Sequence, residues 1–235
     1  MTYDARELAR VRNPVLLISA VAWILLLVEH HSMHMCAHCS MNPPASLAAD
    51  WVLMLAAMMS PVLIPPVRHI RLRSLTHRRA RSIVLFVAGY AAIWMTLGGM
   101  LLATQLAVKP SAPPSFLPAA GVVFVGLVWQ FSPVKQRCLN RCHTRTQLAA
   151  FGAAADRAAL RFGVTHGTWC AGSCWALMLF PMLLPRGQVV AMAGAAILIF
   201  SERLEQPGPP RWRWRGLGKM RRIVVAQARI RLHLA

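Results

Sequence analysis

Carboxylates are scarce in this chain. Its 235 residues include seven Asp and Glu against 26 Lys and Arg. So few acids leave no paired-carboxylate arrangement for acid–base hydrolysis. A Ser/His/Asp nucleophile set is missing, and so is a glycine-rich phosphate loop. Without an ATPase motif the chain does not pump by itself. Internal repeats and a separate soluble domain are absent too. One long stretch, residues 30–50, has no Lys or Arg at all.

What is present is apolar. Hydrophobic residues make up 57% of the chain, too much for a soluble domain of this size and typical of several membrane spans. Six spans are expected: Pro14 to Val28, Trp51 to Val67, Ile83 to Ala107, Phe116 to Phe131, Thr168 to Leu184 and Gln188 to Phe200. With alternating sides, 24 of the 26 basic residues fall on one side and two on the other. That asymmetry places both termini in the cytoplasm. The net charge of +19 then reflects positive loops rather than nucleic-acid binding. The expected fold is all-α, a polytopic membrane helical bundle in the cell membrane. Residues 1–205 form its single membrane domain, and 206–235 form a basic cytoplasmic tail.

The first apolar run has no small-residue cleavage pattern and is expected to stay as a span. Leu148–Phe162 reads as an interfacial helix or a packed connector. The tail alternates Arg and Trp in RWRWRGLGKMRR, Arg211–Arg222, which suits anionic lipid headgroups. The segment Gln206–Pro210 reads as the hinge before it.

The densest chemistry lies in the loop without basic residues. His30, His31, Met33, His34, Met35, Cys36, His38, Cys39 and Met41 place nine soft or borderline donors within twelve residues. Thiolate, thioether and imidazole together select soft metals, copper(I) above all. Zinc through two Cys and two His is the alternative, and a tolerant polar loop is the bland one. His30, His34 and His38 would share one face of a helix.

Three further constellations follow. Asp50, Met54 and Met58 recur every four residues, with Met59 beside them and Pro61, Pro65 and Pro66 after them. Such a stripe serves either packing or thioether ligation. Cys170, Cys174 and Met178 also recur every four residues, a spacing that suits copper(I) better than a relaxed disulfide. The other reading is a packed seam of small residues. Cys138, Cys142 and His143 sit among Lys and Arg, and neighbouring positive charge should make these the thiolate-rich cysteines. Glu29 and Glu202 lie at span ends and gain a functional role only if they face the bundle.

The strings AAMMSP (56–61), FVAGYAAIW (86–94), WQFSPVKQRCLNRC (129–142) and CAGSCWALM (170–178) resemble a bacterial family of predicted metal-binding integral membrane proteins. That family is classed as a domain of unknown function, with some members described as copper chaperone-like. The resemblance implies a polytopic protein whose family residues here are Met58, Met59, Pro61, Gln130, Pro133, Lys135, Cys138, Cys142, Cys170, Cys174, Trp175, Met178 and Glu202. Two positions depart from the family pattern. Trp129 replaces a frequent Tyr, and Ser173 stands where a further Cys is common. The outer cluster owes nothing to the resemblance.

The expected function is therefore copper(I) binding by a chaperone, transfer protein or cuproenzyme-assembly factor, with a cuproprotein as partner and no nucleic acid. Two alternatives use the same residues. One is an enzyme, a transmembrane thiol–disulfide oxidoreductase. The other is an accessory subunit of a larger membrane complex.

Overall fold

The computed structural model describes residues 3–35, 44–108, 117–144, 146–184 and 187–214, and beyond them residues 216, 218, 219, 222, 223, 225, 226 and 229. The described residues are helical, without a strand. The elements are α1 (Tyr3–Met35), α2 (Pro44–Met59), a 3-10 turn (Ser60–Leu63), α3 (Ile64–Arg73), a second 3-10 turn (Thr76–Arg78), α4 (Arg79–Val108), α5 (Leu117–Phe131), α6 (Pro133–Cys142), α7 (Gly152–Leu183) and α8 (Gln188–Leu204). Three stretches are long and apolar enough to cross a membrane by length and composition: Arg6–Glu29, Ala48–Arg73 and Thr76–Leu101. A shorter apolar run, Ala120–Phe131, lies in α5.

The chain forms two compact units. The first is Met1–Pro110 with Arg145–Gly167; the second is Ser111–Thr144 with Thr168–Ala235.

In the first unit, α1 packs along α2, where the Ser19 hydroxyl donates to the Ala57 carbonyl at 2.6 Å. Pro61 has no amide hydrogen to continue the ladder, so α2 passes into a 3-10 turn before α3. The core is an aromatic stripe at four-residue spacing on α4. Phe86, Tyr90 and Trp94 follow one another at centroid distances of 6.4 and 6.3 Å. Trp51 of α2 meets Trp94 at 6.2 Å, and its indole donates to the Trp94 carbonyl. One turn further on, Gly98 leaves the space that the Trp51 indole fills. At the other end, Phe162 of α7 sits 5.0 Å from Phe86.

α4 and α7 approach backbone to backbone. A Cβ on Gly89 would lie 2.6 Å from the Leu160 carbonyl oxygen, and one on Gly163 would collide with the Phe86 carbonyl. This seam corrects the sequence reading. The sequence reading sets Leu148–Phe162 apart from a span beginning at Thr168, with the polar, glycine-containing GVTHG of residues 163–167 between them. Contact with α4 offsets the intrinsic cost of glycine, about 1 kcal/mol per residue, and α7 runs unbroken. Ala155, Ala159 and Phe162 are buried, which makes the segment a packed connector. Asp156 ties it down, accepting from Arg78 at 2.6 Å and pairing with Arg81 at 2.8 Å. The Arg78 hydrogen bond holds its carboxyl below the ordinary carboxylate range.

The second unit contains α5, α6, the later half of α7, and α8. α6 was expected as a loop. Its start is set by Ser132, whose hydroxyl accepts from the Val134 amide at 3.0 Å, with Pro133 in the first turn. The expected hinge after α8 is instead pinned to α6. The Asn140 amide nitrogen donates to the Gly208 carbonyl at 2.8 Å, and its oxygen accepts from the Gly208 amide at 3.3 Å. Gln136 does the same with Arg213 at 2.6 Å and Arg211 at 3.0 Å. Trp214 closes on Phe131, 6.3 Å between centroids.

Candidate functional site

The second unit brings four cysteines into one neighbourhood. Cys138 and Cys142 are one turn apart on α6 and so share a face. Cys170 and Cys174 repeat that spacing on α7. None of the four is in a disulfide, and Cys138, Cys170 and Cys174 are buried. The Cys138 thiol lies against Gly172, where an added Cβ would stand 3.0 Å from its sulfur. Gly172 is therefore the notch that lets α6 reach α7. Trp129 of α5 marks the same place by donating to the Gly172 carbonyl at 3.0 Å and meeting Trp175 edge-on at 5.8 Å.

Arg203 joins the two cysteine pairs. This α8 side chain donates to the Cys170 sulfur at 3.1 Å and to the Ser173 hydroxyl at 3.3 Å. The Cys142 thiol shares the same guanidinium. Cys174 turns back along its own helix and donates to the Cys170 carbonyl at 2.9 Å. Met178, one turn beyond, is fully buried. The ligand face thus has a cross-helix pair, Cys142 and Cys170, that no local spacing announces.

Beneath Arg203 lies a buried polar triad. The Lys135 ammonium meets the Glu202 carboxylate at 2.6 Å, and both side chains are 3% exposed. Gln130 bridges them, its amide nitrogen donating to Glu202 and its oxygen accepting from Lys135. Glu202 accordingly faces inward rather than to solvent.

His143 is placed differently from its expected role. Its ring nitrogens face two backbone carbonyls, Leu139 at 2.9 Å and Arg203 at 3.1 Å. A neutral imidazole donates to one of these at a time, and ligating a metal would mean giving up such a contact. Met54, Met58 and Met59 are buried in the first unit. Asp50 of α2 shares a hydrogen bond with Glu29 of α1. In the outer cluster, Cys36, His38, Cys39 and Met41 lie outside the described residues. His30, His31, Met33, His34 and Met35 belong to α1 by backbone only. Among the described residues no group of three or more His, Cys, Asp or Glu forms a ready metal site.

The expectation of thiolate-rich cysteines on α6 is overturned. Desolvation outweighs the neighbouring cations: burial raises the Cys138 thiol, and it pushes Cys142 up to about 12 even with Arg203 opposing it. Cys142 will therefore alkylate more slowly than a free thiol at pH 8. Its rate should rise about tenfold per pH unit until the thiol titrates near 12. Mass-resolved iodoacetamide kinetics on the folded protein check this. A rate that levels off near pH 8 would show a solvated thiol.

The chemistry of the donor set fits copper(I), which takes as few as two sulfur ligands. The thiols of α6 and α7, with the Met178 thioether, are the donors that could hold it. Sequence reasoning missed Arg203, which counted only as one of the tail's basic residues. Its position next to Glu202 at the end of an apolar helix was the available signal.

Comparison with curated proteins and with solved structures gave no match. A sequence model of the PpoB2 family, described as copper chaperone, matches residues 48–225. The match takes in α2 to α8, and with them the four clustered cysteines and the Lys135–Glu202 pair. By that match, over well more than half of its length, the chain belongs to the PpoB2 copper chaperone family.

Proposed function

We infer that the chain is a multi-pass inner-membrane copper(I) chaperone that hands its metal to a cuproprotein. The observation that carries this reading is the gathering of Cys138, Cys142, Cys170 and Cys174 on facing stretches of α6 and α7, in a family of copper chaperones. Membrane embedding is supported by three apolar stretches of spanning length and by the exposed aliphatic side of α1, where Leu17, Ile18, Ile24 and Val28 are all more than half exposed. The six-span, both-termini-inside topology accounts for the charge asymmetry.

In this reading the extracytoplasmic His/Met/Cys segment, residues 30–41, captures copper(I). Met54, Met58 and Met59 supply thioethers in the first unit. The thiols and Met178 hold the ion in the second. Each exchange trades one soft donor for another, so no step is steeply uphill. Cys142 and Cys170 each lose a proton on ligation, because the thiolate is the ligand. Burial therefore keeps Cys142 protonated until the metal arrives.

The test is copper(I) stoichiometry on detergent-purified, reduced protein. Wild type should bind copper(I) tightly. Cys170→Ser with Cys174→Ser should remove the share held in the second unit, and replacing the donors of residues 30–41 should remove a separate share. Reduced protein that binds no copper(I), while the oxidised form shows defined disulfides among the four cysteines, would instead establish the thiol–disulfide enzyme.

A further inference from the structure

We propose that Arg203 makes the thiol site selective for a monovalent ion, acting as the built-in counter-charge of a bis-thiolate copper(I) complex. This rests on the reading of the second unit as a copper site and adds what sets its choice of metal.

The argument is one of charge. The guanidinium is always protonated in proteins. It points at the Cys170 sulfur at 3.1 Å and at Ser173 at 3.3 Å, and it is shared with Cys142. Two other cations are near: Lys135 has a carboxylate of its own in Glu202 at 2.6 Å, and Arg141, which acts on Cys138, lies over the Trp169 ring at 4.7 Å. Among the described residues Arg203 has thiols where Lys135 has a carboxylate. Of these cations it is the one held against the sulfur of Cys170 and shared with Cys142.

Loading changes that sum. Two thiols give up their protons and two thiolates bind the ion. With a monovalent metal the complex carries one negative charge, which Arg203 neutralises. With a divalent metal the complex is already neutral, and Arg203 stays the uncompensated cation it is in the empty site, so it gives that ion no help. In a desolvated site a unit charge a few ångströms away matters greatly, and the ion's own charge decides the sign. Softness alone would not separate copper(I) from a soft divalent ion such as cadmium(II), since thiolate suits both. Arg203 separates them by charge.

The test measures copper(I) and cadmium(II) affinities of the reduced, detergent-purified full chain by chelator competition, and reads their ratio. In Arg203→Met the ratio should fall by about tenfold or more, copper(I) weakening while cadmium(II) changes little. Arg203→Lys should restore most of it. A merely structural Arg203 would weaken both metals together and leave the ratio in place. Thermal melts identify a variant that fails to fold, and Arg203→Gln, which keeps a donor without the charge, then supplies the same comparison. An unchanged ratio in folded, copper-binding Arg203→Met or Arg203→Gln overturns the proposal and leaves the copper reading intact. Wild-type protein that binds cadmium(II) as tightly as copper(I) overturns it without any variant. Wild type that binds neither metal overturns the copper reading itself.

Discussion

Lys135→Met, with Glu202 left in place, will destabilise the second unit by about 3–5 kcal/mol, the usual cost of stranding one half of a buried ion pair. Both side chains are 3% exposed and meet at 2.6 Å, so water cannot take over from the missing ammonium. Gln130 cannot compensate, because its amide nitrogen already donates to Glu202 and its oxygen loses the Lys135 donor. The double variant Lys135→Met, Glu202→Leu should recover most of the loss, since replacing a whole buried pair by apolar groups is often neutral. Denaturant titration in detergent, followed by tryptophan fluorescence from Trp129, Trp169 and Trp175, gives both values. Equal destabilisation by the single and double variants would mean that the pair is not coupled.

The second large effect belongs to the α4–α7 seam. Gly163→Ala places a methyl group on the Phe86 carbonyl, backbone against backbone, where no rotamer change relieves it. Overpacking costs about 1–3 kcal/mol when side chains can move, and here the upper end, about 3 kcal/mol, is expected. Gly99→Ala on α4 is the matched control. No atom lies within 4 Å of its added Cβ, and removing a helical glycine there should stabilise by up to about 1 kcal/mol. Thermal unfolding of the two variants side by side checks the pair of signs. If both changes act alike, the close approach of the helices is refuted.

These two sites show what could be read in the chain before its structure. The helical class followed from long apolar runs, whereas the aromatic stripe lies in a string, FVAGYAAIW, that signalled only a family resemblance. The continuity of α7 was not legible, because GVTHG is a poor helix by local preference and is held by a neighbour more than seventy residues earlier in the chain. α6 was hidden for the opposite reason. Its start signal, Ser132 followed by Pro133, is ordinary capping chemistry, but the Lys and Arg around it read as a loop. The two cysteine pairs were legible as pairs. That α6 and α7 bring them together was not, since i to i+4 spacing speaks of one helix at a time. The charge environment misled in a similar way. Arg and Lys near Cys142 in sequence suggested a ready thiolate, whereas burial governs the thiol in the fold. Arg203, which touches the sulfur of Cys170, comes from 33 residues away.

The pinning of the tail bears on the order in which the protein is made. Gln136 and Asn140 find their backbone partners 68 to 77 residues later in the chain. At translation speeds of about 5–20 residues per second, that distance corresponds to several seconds in which α6 exists and its polar side is still hydrated. The thiol unit is thus finished by nearly the last part of itself to leave the ribosome. A nascent chain offers Cys138 and Cys142 to its surroundings before Arg203 has been synthesised, and the mature protein offers them afterwards in a different electrostatic setting. Metal delivered during synthesis and metal delivered after it would meet two chemically distinct sites built from the same cysteines.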